Sequence, residues 1–545
     1  MDGTENTLRT ISGAKLFTYA VSVAVILFFI TRIIVSTSAL YGVNTVWDDS
    51  FMFARYANNF LDTGVFSWDP GGGPTYGITS VLYLLLVAPL LVIFNDPGKT
   101  MAISSTLSGM AFLGFALVSV WLMAGGSKIR RMLVTAFVFM ALAIGGDYLG
   151  FHFAGGMDTG FSMAFASAYL MVLFLALERS RAWLTVIAGV LGGLAYWARP
   201  DLMLYPVIVP VVVMIMGGAR LRRTGAVMLA VTAAVLAAEL IASAHLLGSA
   251  LPLSYYVKST RYYSESVYVF HSGKGLLQLA NFAVAWWPFI LVVASDLIFG
   301  RRELFKKERV FDNALLLASI AFIIYHAFFS LQIMYYGARF FYPALPALIF
   351  LSVRSLGRLG QRYGKTAMER AGKKIPLVPV LLLLMLLPVS VPLLKDMKTT
   401  WTKWESGHYE RAFSRERYCA RADRYWKGIC GLAELPPDLV IATADVGMPG
   451  ALNPGKKVID LAGLNHTSFA KEGFSADLLF REERPDIIYM PRDFYEGIRA
   501  EITGHPAWSN YELFEKEEIE SSLPVAVLKK SPYYERILAL LRTDL

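Results

Sequence analysis

The stretch VWDDSFMFARYANN, residues 46–59, holds the side chains best suited to chemistry in this chain. Two adjacent carboxylates, Asp48 and Asp49, precede a helix-compatible run. At 3.6 residues per turn Asp48 and Arg55 share a face, and Asn59 continues it. Acids at a helix start are favoured by the backbone dipole, so the pair taken alone reads first as capping residues. A carboxylate not held in that role is suited to act as a general base.

Other charged residues recur beside aromatic and glycine-rich segments. They are GGD at 145–147, His152 with GGMDT at 155–159, ARPD at 198–201, PLSYYVK at 252–258 and YYGARFFY at 335–342. Acids in such places suit a base, while Arg199, Lys258 and Arg339 suit a phosphate or pyrophosphate group. Each also has a local role open to it. Arg199 and Asp201 can pair around Pro200, Asp158 can cap the helix after it, and Lys258 can face water. Arg339 can snorkel to the interface, as Arg32 is expected to do from the first span. Glu239, with His245 nearby, reads as a structural polar contact or a proton relay. Confinement of the group to the ends of apolar runs on one side favours a shared cavity.

The elements that must position these residues are membrane spans. Of 545 residues, 55% are hydrophobic and 17% charged, and the mean hydropathy is +0.49. Ordinary soluble proteins carry about 25% charged residues. Apolar stretches long enough for ~30 Å of hydrocarbon recur from Leu16 to Leu394. The chain is therefore expected to be a polytopic α-helical membrane protein. Soluble globular, disordered and fibrous classes are excluded.

The net charge of +9 resides mainly in short loops, at 128–131, 179–181, 220–223, 301–309 and 354–374. The positive-inside rule places those loops and the N-terminus in the cytoplasm, with the tail outside. No basic–aromatic stretch suggests nucleic acid. The run at 16–35 is too long for a signal-peptide core and reads as a retained span. Spans are expected near 101–125, 132–148, 157–178, 182–198, 202–217, 225–247, 275–299, 313–332, 341–358 and 376–394. With the first, that makes about 11 transmembrane helices. The run 77–94, broken by Pro89, reads as kinked or partly inserted. This gives a transmembrane domain over 1–396, with a first outer loop at 38–76, and a C-terminal periplasmic α/β domain over 397–545. Strand-like runs in that tail lie at 439–442, 457–461, 486–490 and 525–529. Cys419 and Cys430, both in the tail, read either as a disulfide or as two free thiols.

The ordered set of motifs resembles a known family. WDDSFMFARYANNFLDTGVFSWDPGGGPTYGITS is similar to the first outer loop of GT-C-fold glycosyltransferases that use polyprenyl-phosphate sugars. GGMDTGFS, ARPD, PLSYYVK, YYGARFFYPALP and the late KKVIDLAGLNH occur in the order seen in the branch containing mycobacterial arabinofuranosyltransferases. The resemblance implies an active site facing the periplasm of a bacterial inner membrane and roofed by the tail. It implies a polyprenyl-phosphate sugar donor from the bilayer, a glycan or other hydroxyl acceptor, and a role in cell-envelope glycan synthesis. Asp48 would be the general base, with Asp49 assisting. Lys258 and Arg339 would hold the donor phosphate, with Arg199 and Arg55 as further candidates. Asp158, His152, Tyr255 and Tyr256 would shape the sugar and acceptor sites. No metal ligand set is implied, although Asp48, Asp49 and Asp158 could hold a divalent cation. The oligosaccharyltransferase signature WWDYG is absent, since Trp286-Trp287 runs on into Pro288-Phe289.

A transporter or flippase of lipid-linked sugars is the main rival. It calls for charges near the bilayer midplane, whereas these lie at span ends. A surface-glycan polymerase or ligase does not call for the paired acids, and a sensor does not call for convergent charges.

Overall fold

The structure is a computed structural model describing residues 13–41, 46–179, 181–259, 265–303, 306–330, 336–370, 377–411 and 414–542. Five helices are long and apolar enough to cross a membrane: Leu16–Leu40, Pro97–Met123, Thr159–Arg179, Ala219–Leu246 and Val310–Phe329. Two helix pairs meet that test together but are bent. Lys128–Ile144 and Gly146–Ala154 turn by 72°, and Lys274–Ala285 and Trp287–Phe299 by 87°. The two bends face one another. A Cβ on Gly145 would stand 2.4 Å from the Trp286 ring, so the close approach needs glycine.

Counting each bent pair once gives up to seven spans among the described residues, against the about 11 expected. Part of the difference lies in two expected spans that are shorter apolar helices, Ala182–Ala198 and Pro200–Met216; Val81–Phe94, read from the sequence as kinked or partly inserted, is short as well. Val81–Phe94 has 14 residues and Ala182–Ala198 has 17. At 1.5 Å per residue they reach only about 21–26 Å. Pro89 sits inside the first of them, which stops at Asn95 in a left-handed conformation (φ 46°). The runs expected at 341–358 and 376–394 overlap the helices Leu345–Arg370 and Leu377–Glu405.

Arg32 departs from its expected role. It is buried and pairs with Asp147 and Asp396, tying the first span to Gly146–Ala154 and Leu377–Glu405. Elsewhere two basic segments meet: Arg130 donates to the Gly357 carbonyl at 2.9 Å, and Arg358 pairs with Asp296 and Asp312.

The C-terminal residues build a five-stranded sheet in the order β2-β1-β3-β5-β4. The strands are β1 Val440–Thr443, β2 Lys457–Asp460, β3 Ile487–Tyr489, β4 Tyr511–Phe514 and β5 Val525–Leu528. β1 runs parallel to β2 and β3, while β5 is antiparallel to β3 and β4. Val458, Ile441, Ile487 and Val527 fill one side and Ile459, Ala442, Ile488 and Ala526 the other, the period-two pattern of a sheet buried on both faces. β4 is the strand that the sequence reading did not anticipate. Cys419 and Cys430 form a disulfide.

This sheet sits against the helix Asp48–Thr63. Trp68 Nε1 donates to Val458 O at 2.6 Å, and Tyr56 Oη donates to Asn465 Oδ1 at 3.1 Å. Asn465 is held in turn by Asp460, whose Oδ2 accepts from both its backbone and side-chain nitrogens. Gly77 completes the contact by donating to Tyr56 Oη. A Cβ there would stand 1.9 Å from Asn465 Oδ1.

Candidate active site

Asp48 and Asp49 open the helix Asp48–Thr63 and face a cavity made of connected chambers. One chamber, about 140 Å³, is lined by both aspartates together with Lys258, Arg339, Phe340 and Asp445. It shares Lys258, Arg339 and Phe340 with a second chamber of about 570 Å³, whose walls add Arg199, Asp158 and Asp201. A third, about 130 Å³, shares Asp48, Asp49, Arg339 and Asp445 with the first and is roofed by Trp47, Tyr425 and Trp426. The aspartates thus stand between a cationic chamber and an aromatic one.

Phe340 organises the cations. Its ring centroid lies 5.0 Å from the Arg339 guanidinium, 5.6 Å from that of Arg199 and 5.9 Å from the Lys258 ammonium. An aromatic face lets three positive groups approach one another. Arg199 is held by Asp201 at 2.9 Å and by Asp158 at 3.7 Å, and His326 backs Asp201 at 3.0 Å. Arg339 reaches Asp49 at 3.4 Å. Lys258 is exposed to the cavity and has no ion pair among the described residues. Enclosure by the walls, then the charges of Arg339 and Arg199, pushes it down to about 8. Arg199 and Arg339 are thus already paired with acids, and among the described residues Lys258 is the cation of this group left for an anionic ligand to pair with.

Asp48 is placed by the tail. Its Oδ1 accepts from Met448 N at 2.6 Å and its Oδ2 from Gly447 N at 3.0 Å. These amides start the short helix Gly447–Leu452. A Cβ on Gly447 would stand 1.8 Å from the Asp48 carbonyl, so only glycine fits. Burial, followed by the nearby Asp445 charge, pushes Asp48 up to about 7, against the opposing pull of its amide bonds. A carboxylate poised there is half ionised near neutrality, which suits proton abstraction.

Other expected site residues lie elsewhere. Arg55 is buried and does not reach the cavity. Its guanidinium donates to the carbonyls of Trp68, Gly450, Asn453 and Lys456 at 2.7–3.2 Å, which fastens the helix Asp48–Thr63 to the tail and removes it from phosphate binding. His152 also misses the cavity lining. Its Nε2 meets Gly337 O at 3.0 Å and its ring packs on Tyr342, so it supports the backbone leading to Arg339. Tyr255 is exposed and lines the cationic chamber. Tyr256 turns instead to the tail, with the Lys471 ammonium 5.7 Å from its ring. Asp158 lies in the wall beside Arg199, and no group of three His, Cys, Asp or Glu among the described residues is placed to hold a metal. Glu239 is buried in Ala219–Leu246, outside the cavity lining.

Asp445, Arg492 and Arg421 were missed. Asp445 follows β1 and is bound by Arg492, which follows β3, at 2.7 Å. The signal was present in the strand pattern, because ligands of open α/β sheets gather beyond the carboxyl ends of parallel strands.

Two solved structures align with this chain nearly end to end. They are crystal structures of ArnT from Cupriavidus metallidurans, one bound to undecaprenyl phosphate and one in the apo state. Each alignment covers 93% of this chain and 98% of the ArnT chain, at TM-scores of 0.55 and 0.53 and 15% sequence identity. The chain has the ArnT fold. That is a GT-C fold, the one expected from the first outer loop, and with its apolar helices it makes this a multi-pass membrane protein. No protein-family model matches the sequence, and no curated protein matches it either.

Proposed function

We propose that this protein is an inverting glycosyltransferase that moves a sugar from a polyprenyl-phosphate donor to a hydroxyl acceptor. The observation that carries the reading is the placing of Asp48 and Asp49 beside Lys258, Arg339 and Arg199 in one connected cavity. The ArnT fold, seen elsewhere with undecaprenyl phosphate bound, supports a lipid-phosphate donor. The motifs support a hexosyl or pentosyl donor and a periplasmic glycan or other hydroxyl acceptor in cell-envelope glycan synthesis, on the periplasmic side of a bacterial inner membrane.

In this reading the donor phosphate lies against Lys258 and Arg339, with Arg199 behind them. Asp48 takes the proton of the acceptor hydroxyl as its oxygen attacks the anomeric carbon. The bond from that carbon to the phosphate oxygen breaks on the opposite face, and the electron pair leaves with the lipid phosphate. The cations stabilise the charge that develops there, so no strong general acid is needed. Base catalysis of this kind contributes about 10²–10⁴-fold. Asp49 orients Arg339.

The test is transfer from a radiolabelled polyprenyl-phosphate sugar in proteoliposomes. Asp48→Asn should lose transfer while keeping donor binding. Unaltered transfer would remove the proposed base, and translocation of the sugar lipid without a glycosidic product would point to a flippase.

A further inference from the structure

The chamber under the tail contains polar groups that the proposed reaction leaves unassigned. Asp49 is bound by Arg339, Asp445 by Arg492, and Asp48 by two amides. Arg421 lines the same chamber, and no hydrogen bond or ion pair engages its guanidinium among the described residues. Trp426 lines it too. It is 3% exposed, and its indole N–H has no acceptor among the described residues. A buried donor without a partner is costly unless a ligand or water completes it.

These groups are held rigidly. Arg421, Tyr425 and Trp426 lie in the segment closed by the Cys419–Cys430 disulfide, whose ends are 11 positions apart. The Arg492 guanidinium lies 5.6 Å from the Tyr425 ring centroid, fixing that face as well. Trp47 lines the chamber as well and meets Phe151 edge-on at 5.2 Å. The position also suits an acceptor. An in-line displacement brings the nucleophile from the side opposite the leaving phosphate. The aromatic chamber reaches Asp48 and Asp49 and meets the cationic one at Arg339, without sharing its Lys258, Phe340 or Arg199.

We propose that the aromatic chamber is an acceptor subsite for an anionic saccharide, with Arg421 holding its carboxylate or phosphate. Trp47 and Tyr425 lie against the sugar rings, and the Trp426 N–H donates to a hydroxyl or to the anion. The assignment of this ligand as an acceptor rests on the glycosyl-transfer reading above.

The test is calorimetric titration of the full-length protein in nanodiscs with digalacturonate, glucose 1-phosphate and maltose. At least one anionic probe should bind tenfold or more tightly than maltose, and the better of the two identifies the anion as carboxylate or phosphate. Arg421→Gln should abolish the preference, and Arg421→Lys should retain part of it. Arg481→Gln, which removes an exposed tail charge, should leave it intact. Trp426→Phe, which keeps a ring but not the N–H, should weaken the same probe several-fold in a protein with an unchanged melting temperature. Equal binding of maltose, or an intact preference in Arg421→Gln, overturns the subsite. If the preference depends on Arg421 while Asp48→Asn leaves sugar transfer unaltered, the reaction fails and the subsite stands. Transfer that requires Asp48 with no anionic preference gives the converse.

Discussion

Arg339 and Asp49 lie 290 positions apart in sequence and 3.4 Å apart in space. The contact closes the cavity between the helix Asp48–Thr63 and the segment preceding Leu345–Arg370. Arg339 sits just after two residues with positive φ, Gly337 and Ala338, both at 58°. For Ala338 that left-handed backbone is strained. His152 at Gly337 O and Gln278 at Ala338 N hold it in place. Arg339→Gln should therefore raise the donor KM by about 10–100-fold, the range for losing a hydrogen bond to a charged group. Arg339→Lys, which keeps charge but not the fork, should recover only part of this. His152→Ala should reproduce a fraction of the defect without altering acceptor KM. Steady-state kinetics with varied donor would show it, and an unchanged donor KM in Arg339→Gln would remove Arg339 from phosphate binding.

The pH profile should be bell-shaped. Asp48 acts as a base only when ionised, so kcat/KM should rise with pH through about 7. Lys258 holds a phosphate only when protonated, so activity should fall as pH rises through about 8. The signs are independent, because one group gains function on losing a proton and the other loses it. Lys258→Arg should flatten the alkaline limb and leave the acidic limb in place. The raised Asp48 also bears on stability. Between the ordinary carboxylate value of 3.8 and about 7 the folded state binds the extra proton. This group's contribution is thus greatest at acid pH and declines as pH rises across that window. Asp48→Asn should reduce that slope in thermal melts taken across the same range.

How much of this was legible in the sequence depends on how far away each residue finds its partner. Charges are scarce in a membrane chain, so Asp48, Asp49, Lys258, Arg199 and Arg339 stood out against apolar runs. The helical face shared by Asp48, Arg55 and Asn59 was also correctly read. What that face meets was not readable. Arg55 donates to carbonyls 395–401 positions on, and Asn59 turns to the carbonyls of Ser67 and Trp68. The expected span count exceeds the five to seven found among the described residues where apolar content did not report helix length. Gly145 and Trp286 look like residues inside continuous spans, yet each lies at a bend, and the two bends pack against one another.

Gly447 offers a test of how the base is positioned. Substitution by Ala would drive a Cβ into the Asp48 carbonyl at 1.8 Å, and both contacting atoms belong to backbone-anchored elements. The Gly447–Leu452 helix would have to move, breaking the two amide bonds to Asp48. Each lost bond leaves a desolvated group worth about 1–3 kcal/mol. Transfer should fall at least as far as in Asp48→Asn, with donor KM nearly unchanged, because Lys258 and Arg339 lie on other elements. Wild-type kcat in Gly447→Ala would show that the tail does not place the base.

Arg55 should separate docking from chemistry. Its guanidinium is fully enclosed, with Asp69 at 3.7 Å and the Trp68 ring 4.6 Å from its centre. Arg55→Ala would leave the carbonyls of Gly450 and Lys456 without their donor at the seam between the helix Asp48–Thr63 and the sheet. Loss of a buried charged partner at such a seam costs about 3–5 kcal/mol. The expected result is a lower melting temperature and faster proteolysis of the C-terminal segment. Any loss of activity should then appear as a smaller active fraction, with donor KM unchanged in the molecules that remain folded. Arg55→Lys should behave almost as badly, since one ammonium cannot reach four carbonyls arranged for a planar fork. Limited proteolysis followed by donor titration of the surviving protein distinguishes the two roles. A raised donor KM in intact Arg55→Lys protein would restore this residue to phosphate binding, whereas a stability defect alone fixes it as the fastening between the tail and the helix that carries the base.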